Sequence, residues 1–107
     1  MKYKKGVIIH QCWQFEHFKY AADKVWQELF GHEALLTSAM DSTHSDESLH
    51  YQGLAWDLRI RRKNDINQKV FIMSDLIEAK DMLKEILGKE YDVVIESTHI
   101  HIEFDPK

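Results

Sequence analysis

The chain has one cysteine, one proline, four glycines and no long apolar run. With Cys12 alone, an intramolecular disulfide is excluded, and so is a cysteine-rich zinc site. Any metal bound here must be held by His, Asp or Glu. Cys12 itself reads as a small packing residue. No stretch approaches the ~20 apolar residues that cross a bilayer. The basic start, Met1-Lys2-Tyr3-Lys4-Lys5, is followed only by Gly6-Val7-Ile8-Ile9, too short for a secretory signal. The expectation is a protein that is cytoplasmic or released by cell lysis, with no membrane partner. An excess of positive charge is also missing. The net charge of -4 argues against a nucleic-acid-binding module, which presents a basic face.

What is present is enough for one domain, residues 1–107. At this length a fold buries roughly two-thirds of its unfolded surface. Phe15, Phe18, Ala21, Ala22, Val25, Trp26, Leu29 and Phe30 recur at helical spacing, and Gly31 is a stop. Residues 75–87 form a second amphipathic helix, with Ser74 as N-cap and Gly88 after its end. Residues 6–10, 34–39 and 69–73 read as short strands, the first of them alternatively as the entry to the first helix. Residues 40–50, "MDSTHSDESLH", are a polar loop. In 54–60 the alternation is clean: Leu54, Trp56, Leu58 and Ile60 take a core face, and Asp57 and Arg59 the other. Residues 92–104 read as one long terminal strand. This order of elements predicts an α+β fold with a mainly antiparallel sheet and helices packed on one face.

Seven histidines is a high count for this length. His10, His17 and His32 fall among apolar or helical residues and read as surface or packing groups. The others form two clusters, His44 with His50 and His99 with His101. On a regular strand His99, His101 and Glu103 share a face, while Ile100, Ile102 and Phe104 point to the core. A histidine pair of this kind is either a solvated cross-strand pair or a ligand pair. His50 and Asp57 lie seven apart, with Gly53 available for a turn between them. Zinc takes imidazole nitrogen and carboxylate oxygen at ~2.0–2.2 Å, and a catalytic site has three protein ligands plus water. His50, Asp57 and one histidine of the terminal pair would complete such a set.

The stretch "SLHYQGLAWD" fits S-x-H-x-x-G-x-A-x-D at Ser48, His50, Gly53, Ala55 and Asp57. It resembles the zinc D,D-carboxypeptidase and L-alanyl-D-glutamate endopeptidase family, and the hedgehog signalling domain that shares its fold. "THSDESLHYQGLAWD", followed later by "YDVVIESTHIHIEF", is similar in order to the two metal-binding stretches of the hedgehog domain. The resemblance covers roughly residues 35–60 and 75–104. It implies one zinc per chain, with His50, Asp57 and His101 as ligands. It also implies His99 and His44 lining the site and Glu96 as general base. A strictly alternating strand would put Glu96 on the face opposite His101. A bulge near Ser97 or Thr98 is expected to bring it back; without one, His44 or Glu103 takes the role.

The arginine that receives substrate carboxylate in these peptidases has no counterpart in Thr37-Ser38-Ala39-Met40-Asp41. Arg59, about 6–7 Å along the strand from Asp57, is the expected substitute; the plain alternative is a solvated arginine. Asp41, Asp46 and Glu47 crowd the preceding loop. They suggest either a calcium site of the hedgehog kind or, better, a solvated acidic loop. By resemblance, the expected activity is zinc-dependent hydrolysis of short D-amino-acid-containing peptides, such as peptidoglycan fragments, in a bacterial or phage setting. The alternative is a zinc-stabilised, hedgehog-like binding module without hydrolysis.

Overall fold

A computed structural model describes residues 1–39, 54–60 and 71–106. Among them the order is β1 (Lys2–Tyr3), α1 (Trp13–Phe30), β2 (Leu35–Ser38), β3 (Ala55–Arg59), α2 (Met73–Leu87), β4 (Tyr91–Ile95) and β5 (His99–Phe104). The fold is α+β. The five strands form one mixed sheet in the order β1-β2-β3-β5-β4. β1 runs parallel to β2, and the other three pairings are antiparallel.

The periodicity of α1 explains its placement. Phe15, Phe18, Ala21, Ala22, Val25, Trp26 and Phe30 are all buried, a stripe of the width that faces a core. The helix ends where Gly31 adopts φ 72° and donates its N–H to the carbonyls of Trp26 and Gln27. That left-handed turn suits glycine because a Cβ is disfavoured there. In α2 the buried stripe is Leu76, Ala79, Leu83 and Leu87, and Gly88 follows the last turn.

Both helices join one cluster with Leu36, Trp56, Leu58, Val93, Ile100 and Ile102, so they cover the same sheet face. At its centre Phe18 stacks on Trp56, ring centroids 4.7 Å apart and planes 9° apart. Tyr91 also packs on Trp56 and donates its hydroxyl hydrogen to the Gln14 carbonyl at 3.1 Å.

Several elements differ from the sequence expectation, each for a local reason. Residues 92–104 are not one strand but a hairpin, turned at Glu96–Thr98 and closed by the Glu96 N–H donating to the His99 carbonyl at 2.8 Å. The run "YDVVIESTHIHIEF" has apolar alternation on both sides of Glu-Ser-Thr, so period alone could not show the reversal. Phe71 and Ile72 precede α2 without forming a strand. The α2 cap position is Ile72, with no side-chain cap bond, rather than Ser74. Residues 7–10 have no regular structure, and the first strand is Lys2–Tyr3. That short strand gains its ladder from β2, with Lys2 opposite Leu35 and Tyr3 opposite Leu36.

Candidate functional site

The sheet face turned away from the helices carries the polar residues, and its order follows from register. In β3 and β5, Asp57 stands opposite His101, Arg59 opposite His99, and Ala55 opposite Glu103. In β4 and β5, Val94 stands opposite His101 and Asp92 opposite Glu103. Partners opposite one another share a face. Residues flanking them, such as Trp56, Leu58, Ile100 and Ile102, point to the core and are fully buried. The alternation read in "LAWDLRI" and "HIHIEF" therefore holds on both strands.

Asp57 is the one described charged residue that is buried, at 9% exposure. Its carboxylate Oδ1 lies 2.8 Å from His101 Nδ1 and 3.7 Å from His99 Nε2. His99 Nε2 also lies 3.1 Å from Glu96 Oε2, and His99 Nδ1 lies 3.0 Å from Thr98 Oγ1. With a carboxylate on the Nε2 side, that nitrogen carries the hydrogen, so Nδ1 accepts from the threonine hydroxyl. On the other side of the site His101 Nε2 is 3.7 Å from Glu103 Oε2. Below, Thr37 donates to the Asp57 carbonyl at 3.3 Å, where the β2–β3 register shifts between Leu36 and Ser38. The His101 pKa is raised, first by the Asp57 hydrogen bond and further by the Asp57, Glu103 and Glu96 charges; partial burial opposes this.

Glu96 reaches the site by a different route from the expected bulge. It lies beyond the end of β4, across the turn from His99. A strand-length count along 96–104 does not apply once the chain reverses. Five expected site residues are thus placed: His101, Asp57, His99 and Glu96 form a chain of pairwise contacts, and Arg59 is the cross-strand neighbour of His99. His50 and His44 lie outside the described residues, as do Gly53 and the acidic loop residues Asp41, Asp46 and Glu47.

Whether zinc fits can be tested on the donor set. Two donors at about 2.0–2.1 Å from a tetrahedral ion lie about 3.3 Å apart. The Asp57 and His101 donors would therefore have to open by about half an ångström. One carboxylate oxygen and one imidazole nitrogen already aimed at each other are the right types for zinc, and a third nitrogen from elsewhere would complete the set. By contrast, Asp92, Glu103 and Asp105 bring three carboxylate oxygens within 4.8 Å of one another. Such an oxygen-only group suits a hard cation such as calcium rather than zinc, and exposed acidic groups of this kind are common without an ion. Sequence reasoning did not find it; the signal lay in Asp92 and Glu103, which only the hairpin register brings together.

Arg59 also lines a pocket of about 220 Å³ with Lys2, Trp26, His32, Glu33, Leu35 and Phe71. Asp57, His99, His101 and Glu96 do not line that pocket. His17 and His32 pack against aromatic rings, His17 on Tyr91 and His32 beside Phe30 and Phe71. Cys12 is half-buried against the core. No described helix is long and apolar enough to cross a membrane. No family model, curated protein or solved structure matches this chain.

Proposed function

We propose that this chain is a zinc-dependent peptidase acting on short peptides, with D-amino-acid-containing peptidoglycan fragments as the substrate class. The observation that supports this reading is the chain of contacts that links His101, Asp57, His99 and Glu96 at the polar face of the sheet. In that cluster a buried carboxylate contacts one imidazole at 2.8 Å and lies 3.7 Å from a second, and another carboxylate stands beside that second histidine. Asp57 and His101 would hold the ion, and His50, matched only by sequence resemblance, is the third ligand in this reading. Zinc, when bound, supplies Lewis acidity for the scissile carbonyl and lowers the pKa of water toward ~7.

The protein's own groups then divide the work. Glu96, partly solvent-exposed beside His99, takes the proton of the attacking water and returns it to the leaving amine. His99, held by Thr98 on one nitrogen, presents its Nε2–H toward Glu96 and Asp57. From there it orients the carboxylates and can donate to developing negative charge. Without the ion, Asp57 holds the ring direction of His101 through the 2.8 Å contact; binding of the ion would replace that contact and release its proton. Arg59 has no step in this scheme.

The test measures metal content and hydrolysis together, in the wild type and in His101→Ala and Glu96→Gln variants. Near one zinc per chain, lost in His101→Ala, with D-amino-acid peptide cleavage that disappears in Glu96→Gln while zinc is retained, is the expected result. Zinc retained in the wild type without cleavage of any such peptide would establish the alternative, a zinc-stabilised binding module. Absence of stoichiometric zinc after reconstitution would sink both.

A further inference from the structure

We infer that the pocket lined by Arg59 and Lys2 binds a small aromatic carboxylate. This site lies apart from the Asp57–His101 cluster, and the inference does not rest on the peptidase reading. Three properties of the pocket carry it. First, its size: about 220 Å³. An apolar cavity of about 150 Å³ takes up benzene, so this one accommodates a single ring bearing one small polar group. Second, its walls: Trp26, Leu35 and Phe71 supply apolar and aromatic surface. Phe71 is itself braced edge-on against Phe30, centroids 4.7 Å apart, so that wall is backed by the core.

Third, cations outnumber carboxylates in its lining: Lys2 and Arg59 stand with one carboxylate, Glu33, and with His32. Lys2, Leu35 and Arg59 lie at the same level of the sheet, since Lys2 is opposite Leu35 and Leu36 is opposite Leu58 in the next strand. The register therefore brings two cations to one pocket. Glu33, the carboxylate in that lining, is engaged by the Met1 ammonium at 3.0 Å, which holds its pKa below the usual carboxylate range. Trp26 is fully buried and contributes its ring to the inner wall of the pocket. Two cations beside one carboxylate that is already paired, with aromatic walls for a ring, favour an aryl carboxylate over an amine, a sugar or an aliphatic hydrocarbon.

The experiment is a titration of the isotopically labelled protein with benzoate, followed by proton–nitrogen correlation spectra. The Trp26 indole signal is assigned with Trp26→Phe. The expected result is a saturable shift of that signal. Affinity falls at least about tenfold in Arg59→Gln, the size of one charge-assisted hydrogen bond, and by a similar factor when benzamide replaces benzoate. Lys2→Gln, on a short edge strand, provides a second test that does not depend on Arg59→Gln folding. A shift that never saturates, benzamide matching benzoate, or both charge variants binding like the wild type would overturn the inference. Inorganic phosphate competing as well as benzoate would overturn its aromatic part, leaving a plain anion site.

Discussion

Replacing Asp57 by asparagine in the metal-free protein tests the central contact directly. The change is nearly isosteric, so it removes charge and leaves volume. The Asp57 and His101 side chains are 12% and 19% exposed, so solvent screens the pair only in part. A hydrogen bond involving a charged partner contributes about 1.5–3 kcal/mol and a neutral one about 0.5–1.5. The substituted amide would retain the weaker kind, so the expected loss is about 1–2 kcal/mol. For a domain of this length about 1 kcal/mol moves Tm by roughly 4 °C or more, which gives a drop of about 4–8 °C. The pH dependence is the sharper signature. His101 has a raised pKa in the folded protein, caused first by Asp57. Its linkage stabilisation is therefore fully present below the unfolded histidine pKa of about 6.5, and it is lost as pH rises through the higher folded value. The gap in Tm between wild type and Asp57→Asn should be wider at about pH 6 than at about pH 9. Thermal unfolding followed by circular dichroism with a chelator present measures both. A gap independent of pH, or a variant as stable as the wild type at about pH 6, would refute the reasoning.

Zinc and protons should compete for His101. Its raised pKa means that zinc uptake near neutral pH releases protons, and that affinity falls as pH drops through that pKa; titration calorimetry in buffers of different ionisation enthalpy reads the proton count. Phe18→Ala removes a fully buried ring stacked at 4.7 Å on Trp56. It should cost about 3–5 kcal/mol in a denaturant titration; a loss below about 1 kcal/mol would mean that the core closes over the gap. Gly31→Ala meets no atom within 4 Å but must hold φ at +72°, so the cost is conformational alone. About 1 kcal/mol is expected, and chemical denaturation measures it.

The parts of the fold written in local periodicity were legible before the structure. The buried stripe from Phe15 to Phe30 and the alternation of Trp56 and Leu58 with Asp57 and Arg59 each repeat over enough residues for one face to declare itself. Gly31 and Gly88 mark their helix ends in the same way. Pairing was not legible. No local rule states that Asp57 stands opposite His101 or that β1 adds parallel to β2, because those are choices among distant partners. The hairpin at Glu96–Thr98 was missed for a related reason. Its turn residues are common in extended chain, and neither glycine nor proline marks the reversal. The consequence reached the site, since Glu96 is brought to His99 by that turn and not by the bulge expected of a single strand. Cap chemistry also misled at α2: Ser74 is a good cap residue, but the helix starts two residues further upstream, with Ile72 at the cap position. The Asp92, Glu103 and Asp105 group and the Arg59 pocket emerged only once register had placed residues from separate strands together.

The direct pairing of Asp57 with His101 has one more consequence, which concerns insertions and deletions. Trp56 and Asp57 are neighbours with opposite destinations: one ring lies in the core, one carboxylate in the polar cluster. Adding or removing a single residue just before them would exchange those destinations. An acid would enter the apolar interior, and an indole would take the place beside His101. No intermediate sequence keeps the scaffold and loses only the chemistry by that path. Length changes should therefore be tolerated in the connections between strands and not inside β3 and β5, where only substitution preserves both faces.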